Sequence, residues 1–256
     1  MSLKSVLFAA ALSLSALPAL AFGPQDFTAR DVSVKNLIGR LDITVTAGAD
    51  KVTASVTGPE RMVADVTVRQ QGKELVIEQS RPSKRLGTIS REDWVDVKIT
   101  VPAGTALAVS GFIGEGNVGD LEAPLSIASH TSGTFRAGHV TTAAIGIAGS
   151  GDIWLARVDN NVSADIAGSG SIQTGETAGK VTVDIRGSGK LTMDRVDGPM
   201  AIAIKGSGNV IVKSGTIDPL SASIMGSGKL VIDGTVRNRS ISSLGSGTVI
   251  INGRKG

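Results

Sequence analysis

The chain has 256 residues, a formal net charge of +3, no cysteine, no tyrosine and only 3% aromatic residues. The absence of cysteine excludes disulfides. The weak charge and the scarcity of rings for stacking argue against a nucleic-acid partner.

Residues 1–21 read as a cleaved signal peptide rather than as part of the fold. Lys4 gives a positive start, Val6 to Leu20 form an apolar run, and Ala19-Leu20-Ala21 is a small-residue cleavage site. The run is short for a membrane span. That length argues against a transmembrane anchor, and with no cysteine after it a lipid anchor is not expected either. The mature chain would begin at Phe22 and be exported to the periplasm or beyond the cell.

Residues 22–110 read as short strands. Leu41, Ile43 and Val45 alternate with polar residues, as do Val52, Ala54 and Val56, with Gly48-Ala49-Asp50 turning between them. Val66 and Val68 precede a turn at Gln70-Gln71-Gly72, and Leu75 and Ile77 follow it. Val95, Val97, Ile99 and Val101 make another alternating set, ended by Pro102-Ala103-Gly104. Between the last two lies a basic loop with Arg81, Lys84, Arg85 and Arg91, a candidate ligand contact that is otherwise a solvated loop. No linker separates this half from the C-terminal repeats, so it is expected to form the irregular N-terminal coils and cap of one continuous domain.

Residues 111–256 are organised by a recurring triplet. Gly-Ser-Gly occurs at Gly149 and Gly151, Gly168 and Gly170, Gly187 and Gly189, Gly206 and Gly208, Gly226 and Gly228, and Gly245 and Gly247, in steps of 19, 19, 19, 20 and 19. Degenerate copies, Thr131-Ser132-Gly133 and Gly114-Glu115-Gly116, precede them. A fixed period near 20 marks a solenoid. Around each triplet apolar and polar residues alternate strictly, the signal of half-buried strands. Counting from the first glycine, the positions six, four and two before, and four, six and nine after, form apolar rows. The row two before reads Ile147, Ile166, Ile185, Ile204, Ile224. Such stacking is what a single-stranded parallel β-helix needs. The bias toward right-handed crossovers predicts a right-handed coil. By parity both glycines would face inward and the serine outward, at a sharp bend with no room for a side chain. No helix comes after the triplet, which excludes a phosphate-cradling loop. No acids stand in register after it, which excludes a calcium repeat.

The order Leu41-Asp42-Ile43-Thr44-Val45, Val52 to Val56, Gly72-Lys73-Glu74-Leu75-Val76-Ile77, Val97 to Pro102, then serial Gly-Ser-Gly coils, resembles the bacterial family "putative auto-transporter adhesin, head GIN domain". The resemblance spans roughly Asp31 to Asn252. It implies an exported β-helix of adhesion type with no catalytic residues to carry over. The sequence ends without strands for an outer-membrane barrel, so self-translocation is not expected.

The remaining candidates for chemistry are few. His130 and His139 lie at different phases of one coil and read as surface histidines without a shared metal. The triplet serines form a ladder with no base beside it. Asp165 and Asp184 stand in one outward row on adjacent coils, about 4.8 Å apart by strand spacing, near the roughly 5 Å of a retaining glycosidase pair. The row is flat, however, and Arg186 and Lys205 are placed to balance it. Asp194, Lys213 and Asp233 read as a stabilising charge ladder. The outward row five after the triplet reads Arg136, Trp154, Gln173, Thr192, Ile211, Val231, Ile250. Trp154, Ile211, Val231 and Ile250 on a wet face make a candidate docking stripe, although strand propensity alone also explains the branched residues. At the end of the chain Arg254 and Lys255 are placed to guard an open strand edge.

The sequence thus predicts an exported, non-enzymatic envelope or cell-surface interaction module, monomeric and without cofactor, whose partner is an unidentified protein or glycan. The rival readings are a polysaccharide-active enzyme using Asp165 and Asp184, and a self-assembling structural envelope protein.

Overall fold

The computed structural model describes residues 22–80 and 90–255. The proposed leader and the loop residues Arg81, Lys84 and Arg85 lie outside the described residues. The chain winds into a β-solenoid of about 8 turns with coils of about 19 residues. Each regular coil supplies one strand before its triplet and one after it. Val162–Gly168 and Ser171–Thr177 are such a pair. The leading strands stack in parallel on one face, Ala143–Gly149 on Val162–Gly168 on Val181–Gly187. The trailing strands stack likewise on a second face, Asp152–Val158 on Ser171–Thr177 on Lys190–Gly206.

The core is the set of inward rows. Ile147, Ile166, Ile185, Ile204 and Ile224 pair in register and are all buried. Phe135, Ile153, Ile172, Leu191, Val210, Leu230 and Val249 form the facing row. The first row repeats isoleucine and the second varies among Phe, Ile, Leu and Val, so apolar side chains stack at the strand spacing and exclude water along the axis. The coil of Ser171–Thr177 departs from this pattern. Thr174 and Thr177 occupy inward positions, are buried, and leave their hydroxyls without a hydrogen-bond partner.

The triplet turns the chain between faces, but its two glycines do different things. The second faces the core: a Cβ on Gly189 would lie 2.5 Å from Ile166 Cγ2, and one on Gly208 the same distance from Ile185 Cγ2. The first does not face inward as parity predicts. Gly187 has φ +124°, and a Cβ there would point along the stack, 2.6 Å from the carbonyl oxygen of Gly168. That oxygen accepts the N–H of Ser188 at 2.9 Å. The ladder continues through the bend, and the positive φ that permits this turns the first glycine onto the coil below.

The N-terminal third is nested rather than serial. Asp31–Lys35 and Ile38–Thr46 form the first coil in sequence. The next to be made, Glu74–Gln79 and Val95–Pro102, packs on its outer side, while Ala106–Ser110 and Ile113–Val118 pack on its inner side. Antiparallel strands close the outer end. Val52–Thr57 pairs with Val95–Pro102, Phe22–Phe27 with Val52–Thr57, and Val66–Gln71 with Glu74–Gln79. At the other end Arg254–Lys255 folds back antiparallel on Thr248–Ile251.

Candidate interaction surfaces

The row five after the triplet is continuous. On the trailing face Lys98, Asp42, Asn117, Arg136, Trp154, Gln173, Thr192, Ile211, Val231 and Ile250 stand in register from strand to strand. Its character changes along the axis. At the N-terminal end Asn117 donates to Asp42 at 3.2 Å. In the middle the Trp154 indole donates to Gln173 Oε1 at 3.0 Å, and the Arg136 guanidinium sits 4.5 Å from the ring centre. At the C-terminal end Ile211, Val231 and Ile250 are half-buried neighbours. The structure therefore brings those three together. It sets Trp154 apart from them, behind Gln173 and Thr192, within a polar ladder.

Asp165 and Asp184 are indeed opposite each other. Arg186 holds Asp165 at 2.5 and 2.6 Å and lies 3.7 Å from Asp184. The hydrogen bond to Asp165, reinforced by both carboxylate charges, keeps its guanidinium above the usual arginine range. A hydrolytic pair needs one carboxyl to carry a proton and the other to face the sugar. Here both are gathered around a fixed cation at a shallow depression of about 470 Å³ lined by Ala144, Gly146, Ala148, Ser163 and Ala167, which Asp165 and Arg186 also line and Asp184 does not. A shallow groove of about 510 Å³ runs beside that depression past Ala144, Ser163, Asn161 and Lys180. No cluster of metal-ligating side chains forms among the described residues.

One of the two histidines departs from its sequence reading. His130 is not on the surface: it is fully buried, stacked on Phe112 with ring centres 5.6 Å apart. The cause is a bulge. Ser129 has φ +57°, and the pairing slips between Ile127 and His130, so His130 drops into the row of inward isoleucines opposite Ile147. Its ring nitrogens lie 3.3 Å from the Phe112 carbonyl oxygen and 3.2 Å from that of Gly133. Burial pushes its pKa down, against the smaller opposing effect of those carbonyls. His139 is half-exposed and bonds Asp159 at 2.7 Å. Arg157, then His139, hold the Asp159 carboxyl below the usual range.

Among the basic-loop candidates only Arg91 is described. It is paired, 2.6 Å from Glu115 and 5.3 Å from the Trp94 ring centre. Lys213 joins Asp194 at 2.7 Å in the charge ladder. Sequence reasoning missed the row one before the triplet, although it is readable there as Ala148, Ala167, Arg186, Lys205, Met225, Leu244. It ends in the two large apolar side chains that stand exposed among the described residues, Met225 at 45% and Leu244 at 72%.

A family model described as "Putative auto-transporter adhesin, head GIN domain" matches residues 33–213. The chain belongs to this family. The family's description as adhesin-like suggests an exported or surface protein, and no helix among the described residues is long and apolar enough to cross a membrane. Its fold is also that of solved structures. A "putative lipid binding protein" from Parabacteroides distasonis is 19% identical with a TM-score of 0.56, over 89% of this chain and 96% of that one. A "putative adhesin" from Bacteroides fragilis is 17% identical with a TM-score of 0.52, over 91% and 98%. A "putative adhesin" from Parabacteroides merdae is 17% identical with a TM-score of 0.53, over 90% and 95%. No curated protein matches this GIN domain.

Proposed function

We infer that this GIN domain is an exported, non-catalytic interaction module of the bacterial envelope or cell surface. Its leader-like residues 1–21 route it to the periplasm or outside the cell. The observation that carries the reading is the unbroken outward row of the trailing face, with Ile211, Val231 and Ile250 stacked in register at its apolar end. A rigid sheet holds these side chains at fixed spacing, so a partner meets an ordered apolar strip at little entropic cost. The grip of Arg186 on Asp165 weighs against the hydrolase alternative.

The test is adhesion of bacterial cells to immobilised protein. Ile211, Val231 and Ile250 are replaced together by threonine, which preserves strand propensity. Adhesion should fall several-fold with an unchanged melting curve. Equal adhesion by the triple variant would refute the stripe. A polysaccharide cut by the native chain and left intact by Asp165→Asn would refute the non-catalytic reading.

A further inference from the structure

The two terminal edges of the solenoid are finished differently. On the trailing face Thr248–Ile251 is covered by Arg254–Lys255. On the leading face the last strand, Arg239–Gly245, pairs with Gly215–Gly226 on one side only, and no described strand pairs with its other side. Its register shows which backbone groups are free. Leu220 donates its N–H to Asn238 O, and Leu220 stands opposite Arg239. In a parallel ladder successive residues turn their N–H and C=O to alternate sides. Asn238, Ser240, Ser242 and Leu244 therefore face the previous coil. Arg239, Ile241 and Ser243 offer donors and acceptors to the open side.

This coil also stops being core. Arg239 and Ser243 are exposed at positions that hold Leu220 and Ile224 one coil earlier. The same end is rich in cations, its nearest carboxylates being Asp233, just before the last coil, and Asp218, which accepts from Asn238 Nδ2 at 2.9 Å. Residues 234–255 contain Arg237, Arg239, Arg254 and Lys255 and no acid, and none of the four is in a salt bridge among the described residues. Leu244 and Met225 stand side by side on the outer surface next to the edge.

We propose that the free edge of Arg239–Gly245 takes an acidic, extended peptide segment of a partner protein by strand addition. The edge supplies the main-chain hydrogen bonds, and alternate side chains supply the selection. An apolar residue of the incoming strand lies beside Leu244 and Met225. Carboxylates of the segment face Arg237 and Arg239. A second copy docked end to end by this edge would set four cations against four, which disfavours it. A lipid surface would leave the free N–H and C=O groups of the edge unsatisfied.

The test uses the full chain and a labelled alternating Glu-Val decapeptide, with the Lys-Val decapeptide as control. Fluorescence anisotropy at low salt should show binding of the Glu-Val peptide alone, weakening as salt is raised. Ser243→Pro removes an N–H on the open side and leaves the ladder to the previous coil intact. It should weaken binding at least 10-fold. Leu244→Ser and Arg239→Glu, which do not alter the backbone, should each weaken it several-fold and serve if the proline variant does not fold. The proposal is overturned if the Glu-Val peptide does not bind, or if it binds equally to Leu244→Ser and Arg239→Glu. It is equally overturned if light scattering shows the native chain dimerising through this edge. Binding to phosphatidylglycerol vesicles that the Glu-Val peptide does not compete away would replace the peptide with a membrane and also overturn it.

Discussion

The triplet glycines can be separated by a double-mutant cycle. A Cβ on Gly189 would sit 2.5 Å from Ile166 Cγ2. Ordinary carbon contacts lie at about 3.5–4.0 Å, so the overlap is about 1 Å. Gly189 has no positive φ, so Gly189→Ala is an overpacking change, expected to cost about 1–3 kcal/mol. Ile166→Ala alone opens a cavity at a buried site and should cost about 2–5 kcal/mol. In the double variant the contact with Cγ2 is gone, while the Gly170 carbonyl oxygen at 3.1 Å and the Cβ of residue 166 at 3.2 Å remain. The two costs should then fall short of their sum by at least about 0.5 kcal/mol. Gly187→Ala behaves otherwise. Its Cβ meets a carbonyl oxygen at 2.6 Å and its φ is +124°, so about 1–3 kcal/mol of backbone strain adds to a clash that no side-chain truncation relieves. Gly187→Ala with Ile166→Ala should be additive to within about 0.5 kcal/mol. Urea unfolding followed by circular dichroism measures all five variants, provided the slope of the transition is unchanged. If Gly189→Ala and Ile166→Ala add fully, the second glycine does not face that isoleucine and the inward assignment is wrong.

Three further outcomes are expected of the core. Ile204→Asp should unfold the protein, because a lone buried charge costs several kcal/mol, whereas Ser207→Ala on the exposed ladder should change stability by no more than about 0.5 kcal/mol; thermal melts distinguish them. Thr174→Val should raise stability by about 1 kcal/mol, since it removes a buried hydroxyl that has no partner, and a lower denaturation midpoint would show that the hydroxyl is satisfied. His130 binds a proton less readily folded than unfolded, so its contribution is fully present above the unfolded pKa of 6.5 and is lost as pH falls below it toward the lowered folded value. Urea midpoints of His130→Leu should be flatter than those of the native chain from pH 7 to 5, and parallel curves would refute the burial argument.

The rows of the solenoid were legible because period and alternation are both written in the residues. Ile166, Ile185 and Ile204 fall 19 apart and inward, and the structure pairs them. The direction of the first glycine was not legible, because counting parity assumes extended φ, and Gly187 does not have it. His130 escaped for a related reason: Ser129 adopts a positive φ that serine seldom takes, so nothing in its type marks the bulge. The docking stripe could be read as a row, but not the separation of Trp154 from it, which depends on Arg136 and Gln173 side chains reaching the indole. The open edge of Arg239–Gly245 is written in two polar residues at core positions. It becomes visible only once the pairing shows that one terminal strand is covered and the other is not.

The nested order of the first coils bears on how the protein is made and how it can change. In the regular array a contact such as Trp154 to Gln173 closes a loop of 19 residues. At the N-terminal block Arg40 to Asp96 closes 56 and Asn117 to Asp42 closes 75. Each doubling of a loop adds about 0.6 kcal/mol of closure entropy, so the longest of these costs about 1.2 kcal/mol more than a single repeat. A chain emerging from a pore N-terminus first would expose Asp31–Thr46 earliest and yet be unable to flank it on both sides until Val118 arrived. The array can zip from any coil, but the block behaves as a late-closing lock. Duplication or loss of whole repeats is then confined to the side beyond Val118, where each coil meets only its neighbours. The length of the solenoid can drift by units of about 19 residues in one direction, while its N-terminal end stays the same.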